Sequence, residues 1–83
     1  MDAKIVLVAF GGTKQILGTT TLEFPLESPS TVGDLLDRIC RDYPALARLQ
    51  RSIRLAVNGS YVQAGDPVSP GDEVALIPPV AGG

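Results

Sequence analysis

Apolar positions along the chain follow two different periods. Lys4-Ile5-Val6-Leu7-Val8-Ala9-Phe10 is apolar and β-branched almost throughout, which predicts a strand that Gly11-Gly12 stops. A turn carrying Lys14 closes near Gly18, and residues 19–24 then read as a second strand. Its Thr content and partial alternation suit a half-exposed edge, and Pro25 and Pro29 end it. The two strands are expected to form a hairpin.

Residues 30–43 change period. Val32, Leu35, Leu36, Ile39, Cys40 and Tyr43 fall at i, i+3, i+4, i+7, i+8 and i+11, one face of a helix. Asp34, Asp37, Arg38, Arg41 and Asp42 take the opposite face. Thr31 followed three residues later by Asp34 forms an N-cap pair, and Pro44 closes the helix by disfavouring helical geometry at Tyr43. Leu46 and Leu49 suggest a short extra turn. Ile53-Arg54-Leu55-Ala56-Val57 alternates as a strand, with Asn58-Gly59 as a tight turn into Tyr61-Val62. Gly65-Asp66-Pro67 and Ser69-Pro70-Gly71-Asp72 read as turns, Glu73-Val74-Ala75-Leu76-Ile77 as the last strand, and Pro78-Pro79 as its stop.

The order β-β-α-β-β-β, with one main helix on a mixed sheet, is an α+β arrangement of the β-grasp, or ubiquitin-like, class. The first and last strands are the most apolar and are expected at the sheet centre. Residues 1–77 form the domain and residues 78–83 an extended tail. Strand parity raises a second expectation. If Ile5, Leu7, Val74 and Leu76 face the helix, then Val6, Val8, Ala75 and Ile77 face away, with Phe10, Ala56 and Tyr61 candidates to join them. A single helix leaves that second face uncovered. A contiguous exposed apolar patch marks a protein–protein surface, unless residues 46–51 curl over it.

Composition narrows the chemistry. In 83 residues there is no His, no Trp and one cysteine, Cys40. These counts exclude disulfide scaffolds, Cys/His zinc sites and His-based triads. A net charge of −2 without a basic run argues against nucleic acid as a partner. No apolar run approaches a membrane span, and Met1-Asp2-Ala3-Lys4 does not resemble a signal peptide, so a cytoplasmic protein with no membrane partner is expected. Cys40, on the apolar helix stripe, reads as a small buried hydrophobe. Asp34, Asp37 and Asp42 read as a solvated helix face, with no metal.

The tail is the most informative stretch. After Ile77, two prolines hold the chain extended, Val80 and Ala81 follow without charge, and Gly82-Gly83 stand last. Six residues reach at most ~20 Å. Such a segment can thread a narrow channel and present an α-carboxylate to a remote active site. Glycine at its tip permits approach where a Cβ would clash.

Ile77-Pro78-Pro79-Val80-Ala81-Gly82-Gly83, preceded by Gly71-Asp72-Glu73-Val74-Ala75, resembles the C-terminal signature of the molybdopterin synthase small-subunit family (the MoaD type). Ala56-Val57-Asn58-Gly59, the opening strand and Lys14-Gln15-Ile16-Leu17-Gly18 fit the same family. The resemblance implies a sulfur carrier. Gly83 would be adenylated by a ubiquitin-activating-type enzyme using ATP, converted to a thiocarboxylate through a sulfur donor system, and inserted into the synthase large subunit. There the sulfur would pass to cyclic pyranopterin monophosphate, while Gly82 gives steric access. The chain itself would bind no cofactor and would be a non-autonomous part of a sulfurtransferase. Ile77, Tyr61 and Val8 match positions where the family contacts the large subunit, Lys14 matches a basic position, and Pro78, Pro79, Val80 and Ala81 make up the inserted tail. Phe10-Gly11-Gly12-Thr13 is longer than the family's usual turn. A thiamin-pathway sulfur carrier and a ubiquitin-type protein modifier share the fold and the Gly-Gly end. A plain β-grasp interaction module, which predicts a dispensable tail and a basic face, is the alternative of another class; the lysines here are Lys4 and Lys14 alone.

Overall fold

In a computed structural model of the chain, which describes residues 3–79, the apolar run at the start becomes β1 (Lys4–Ala9). Ile5, Leu7 and Ala9 are buried on one face, and Val6 and Val8 are half-buried on the other. A short helix, α1 (Gly12–Leu17), leads into β2 (Thr21–Pro25), which pairs antiparallel with β1 and sets Val8 opposite Thr21. The expected hairpin is therefore present, with a helix where the sequence suggested a turn. Six residues are too few to display a period, and the Gly-Gly doublet masks the helix start. Gly18 ends α1 in the left-handed region, its N–H donating to the Lys14 carbonyl at 2.9 Å.

Ser30 and Thr31 form a two-residue strand, β3 (Ser30–Thr31), so the main helix α2 (Val32–Asp42) begins two residues later than the periodicity suggests. Thr31 caps it as expected, accepting from the Asp34 N–H at 3.2 Å. Val32, Leu35, Leu36, Ile39 and Cys40 are buried on the predicted face. Tyr43 leaves helical geometry at φ −127°, and Pro44 opens α3 (Pro44–Ala47), which buries Leu46. Two further strands, β4 (Arg54–Val57) and β5 (Ser60–Val62), form a hairpin. Asn58 and Gly59 both have positive φ, 51° and 88°, as a two-residue primed turn requires. The Asn58 side chain anchors that turn, accepting from the Glu73 N–H at 2.9 Å and donating to Asp72 at 3.0 Å.

Between the expected turns at residues 65–67 and 69–72 lies β6 (Pro67–Val68), paired with β3. The sequence gives no sign of it, because a two-residue ladder flanked by Pro and Gly looks like loop. The chain closes its sheet with β7 (Glu73–Ile77), over the residues expected. The five main strands order as β2-β1-β7-β4-β5. The last strand is central and the first lies beside it, parallel, so the two most apolar strands are interior. This is a β-grasp fold: a mixed sheet crossed on one face by a dominant helix. Ile5, Leu7, Leu55, Val74 and Leu76 from the sheet meet Leu35, Ile39 and Leu46 in one core. Removing Leu7 or Ile39 side chains from such a core costs about 2–5 kcal/mol.

Candidate interaction face and tail exit

The strand registers fix what the second face of the sheet presents. Thr21, Val8, Ala75, Ala56 and Tyr61 stand opposite one another in a single row across all five strands. One step towards the C-terminal end of β7, Ile77 pairs with Arg54. One step the other way, Val6 lies between Glu23 and Glu73, and Lys4 pairs with Glu23 at 2.7 Å. The face is therefore apolar in its middle, sets Ile77 beside Arg54 at the tail end, and carries Lys4, Glu23 and Glu73 at the far end. Tyr61 is 67% exposed and Phe10 50%, the two large apolar side chains most open to water among the described residues. The Arg54 guanidinium lies over the Tyr61 ring, 5.5 Å from its centroid.

Ala56 joins this row by register, opposite Ala75 on one side and Tyr61 on the other, yet is buried. Residues 46–51 do not curl over the face. Leu46 is in the core with Leu35 and Ile39, and α3 packs against α2 and α1. Val8, Tyr61 and Ile77 are thus brought together on one uncovered surface. Lys14 is exposed on α1, outside the strand rows.

The tail leaves from the Ile77 end of this face. β7 ends at Ile77, and β1, its parallel neighbour, ends one pairing earlier.

 That last pairing sets Ala9 opposite Leu76. Beyond it the β1–α1 corner takes over the place of a strand. Thr13, fully buried, is the polar side chain enclosed there. Its hydroxyl accepts from the Phe10 N–H at 3.0 Å, donates to the Phe10 carbonyl at 2.6 Å and lies 3.2 Å from the Leu76 carbonyl. Gly11 has φ +54°, and a Cβ on it would stand 3.1 Å from Cγ of Pro78. Pro78 is half-buried and Pro79 exposed. Val80, Ala81, Gly82 and Gly83, the rest of the expected tail, lie outside the described residues.

Thr13 and Gly11 are residues whose part the sequence does not announce. A Gly-Gly doublet reads as a strand stop, and one Thr after it carries no pattern. Arg54 over Tyr61 is likewise invisible until the hairpin register is known.

Cys40 is buried on the α2 stripe, as expected of a small hydrophobe. Burial raises its thiol above the ordinary pKa, and the nearby Asp37 charge adds to the effect. A thiol held neutral is a poor nucleophile and a poor sulfur relay. Asp34, Asp37 and Asp42 are exposed; Asp37 accepts from the Gln50 amide. No helix among the described residues is long and apolar enough to cross a membrane.

Residues 8–83 match the model of the ThiS family. Over 82 residues the chain is 33% identical to small archaeal modifier protein 1 of Haloferax volcanii, covering 89% of this chain and 94% of that one. It is also 33% identical over 87 residues to a molybdopterin synthase sulfur carrier subunit of Aedes aegypti, covering 96% and 89% respectively. Among solved structures, the crystal structure of the Haloferax volcanii modifier superposes with a TM-score of 0.82 at 31% identity, covering 96% of this chain and 99% of that one.

Proposed function

The chain belongs to the ThiS family of ubiquitin-like sulfur carriers and modifiers, and we propose that it is the sulfur carrier of molybdopterin synthesis. The observation that carries this reading is the union of an uncovered apolar face with the tail's point of departure. Val8, Tyr61 and Ile77 share the face, and Ile77 runs directly into Pro78-Pro79. A partner that covers the face receives the tail in the same encounter.

The chemistry then belongs to the tip. A carboxylate is a poor electrophile, so a ubiquitin-activating-type enzyme first joins Gly83 to AMP, with pyrophosphate leaving from ATP. The acyl-adenylate carbonyl is attacked by hydrosulfide released from the donor system, and AMP and a proton depart. The resulting thiocarboxylate is ionised at neutral pH, and its sulfur is the nucleophile presented to cyclic pyranopterin monophosphate inside the large subunit. Gly82 lets the backbone approach closely. The partners supply acids, bases and pocket, and this chain supplies the reacting group, with no cofactor of its own. The reading requires Gly83 to carry the free carboxylate in the mature protein.

A second reading has a specific support. The similarity to small archaeal modifier protein 1 favours a protein modifier, in which a lysine amine attacks the adenylated Gly83, AMP and a proton leave, and an isopeptide bond forms. Offering the charged protein separately to the synthase large subunit with its pterin substrate and to a lysine-bearing acceptor distinguishes the two. Sulfur loss to the pterin supports the carrier reading. Covalent adducts without sulfur transfer replace it with the modifier reading.

A further inference from the structure

The β1–α1 corner does more than turn the chain. β7 loses its β1 neighbour after the Ala9–Leu76 pairing, while the chain still has to leave in a defined direction. Pro78 has no N–H with which to extend a ladder. At that point the Thr13 hydroxyl, tied to both backbone groups of Phe10, lies against the Leu76 carbonyl, 63 residues away in sequence. Two residues further along, Pro78 lies against Gly11, with no room for a methyl group to be added there without displacement. The corner therefore touches the exit twice, once through a buried hydroxyl and once through a missing side chain.

We propose that Thr13 and Gly11 are positioning residues that fix the direction in which the chain leaves β7. The segment beyond Pro79 then meets a receiving active site already aimed. This inference rests on the reading that the tail is delivered to partners. A tail on a loose pivot would bind the same partner through the same face but would find its active site less often, and misplacement of a reacting group by about 1 Å can cost on the order of a hundredfold in rate. The corner should thus act on turnover more than on binding.

Thr13→Val keeps the shape and removes the hydroxyl, and Thr13→Ser restores it. With the full chain, its activating enzyme and ATP, charging of Gly83 is measured against chain concentration, below the melting temperature of each variant. Thr13→Val is expected to lower kcat by about tenfold or more with KM within about twofold, and Thr13→Ser to recover most of the loss. An unchanged kcat, or a rise in KM alone, overturns the proposal, since either means that the corner does not aim the tail. Should Thr13→Val fail to fold, Pro78→Ala, which removes the corner's other contact, that of the Pro78 ring with Gly11, must give the same split. A second readout does not depend on function. The order parameter of the Pro78 Cα–Hα vector should fall in Thr13→Val and return in Thr13→Ser, and no fall overturns the proposal. If the wild-type chain is not charged at all, the functional reading fails, and this measurement alone decides the corner's role.

Discussion

The two faces of the sheet are cut from the same strands, one residue apart, and carry opposite duties. On the inner face Ile5, Leu7, Val74 and Leu76 are fully enclosed beneath α2 and α3. On the outer face Val6, Val8, Ala75 and Ile77 are equally apolar in type but only half-covered, and Tyr61 stands mostly in water. Burial on the inner side holds the fold together. The outer side leaves apolar surface whose removal from water can drive an encounter. Chemically similar residues thus differ in effect by what lies above them.

That contrast can be broken from either side. The largest effect belongs to the tip: deleting Gly83 is expected to abolish charging while leaving the melting temperature within experimental error, as read by mass and by circular dichroism. On the inner face, Leu7→Ala should destabilise by about 2–5 kcal/mol in urea titration, while the protein that remains folded binds its partner within about twofold of wild type. On the outer face the pattern inverts. Tyr61→Asp or Ile77→Asp would place a charge against apolar partner surface and should weaken calorimetric affinity for the synthase large subunit by at least about tenfold. For Tyr61→Asp, stability should move by only about 1 kcal/mol, the loss of the Arg54 contact and of a strand-favouring side chain. An Asp variant with unaltered affinity would remove the outer face from the docking surface.

Two smaller changes leave the outer face untouched. Thr31→Ala removes the cap of α2 and should cost about 1 kcal/mol with no change in affinity. Cys40 predicts a pH effect. Its folded-state pKa is raised by burial, so the folded chain keeps the thiol proton to higher pH than the unfolded chain does. The stability contributed is fully present below the unfolded thiol's pKa, near pH 8.5 or so, and is lost as pH rises through the folded value. Denaturant midpoints measured across that window should fall with pH, and less steeply in Cys40→Ala.

Period and parity made the inner face legible in the sequence. The α2 stripe, the two central strands and the Asn58-Gly59 turn all follow from local pattern, and each agrees with the structure over most of its length. The outer face was legible only as a parity argument, because alternation tells which residues point away but not whether a later segment covers them. What stayed hidden is what depends on register between distant segments: the β3–β6 ladder, Arg54 over Tyr61, and Thr13 against Leu76. The Gly-Gly doublet hid α1 for a related reason. One of its glycines serves a positive φ beside Pro78, a contact formed only when β7 closes the sheet. The tip lies outside the described residues, and its role rests on the resemblance its residues carry.

Under the carrier reading, this fold presents a C-terminal glycine to be charged with sulfur. Intact-mass analysis after incubation with the activating enzyme, ATP and a sulfur donor tests it most directly. The expected result is the exchange of one oxygen for sulfur, localised by fragmentation to Gly83. An unchanged mass, with the same enzyme visibly charging another carrier, would contradict the claim.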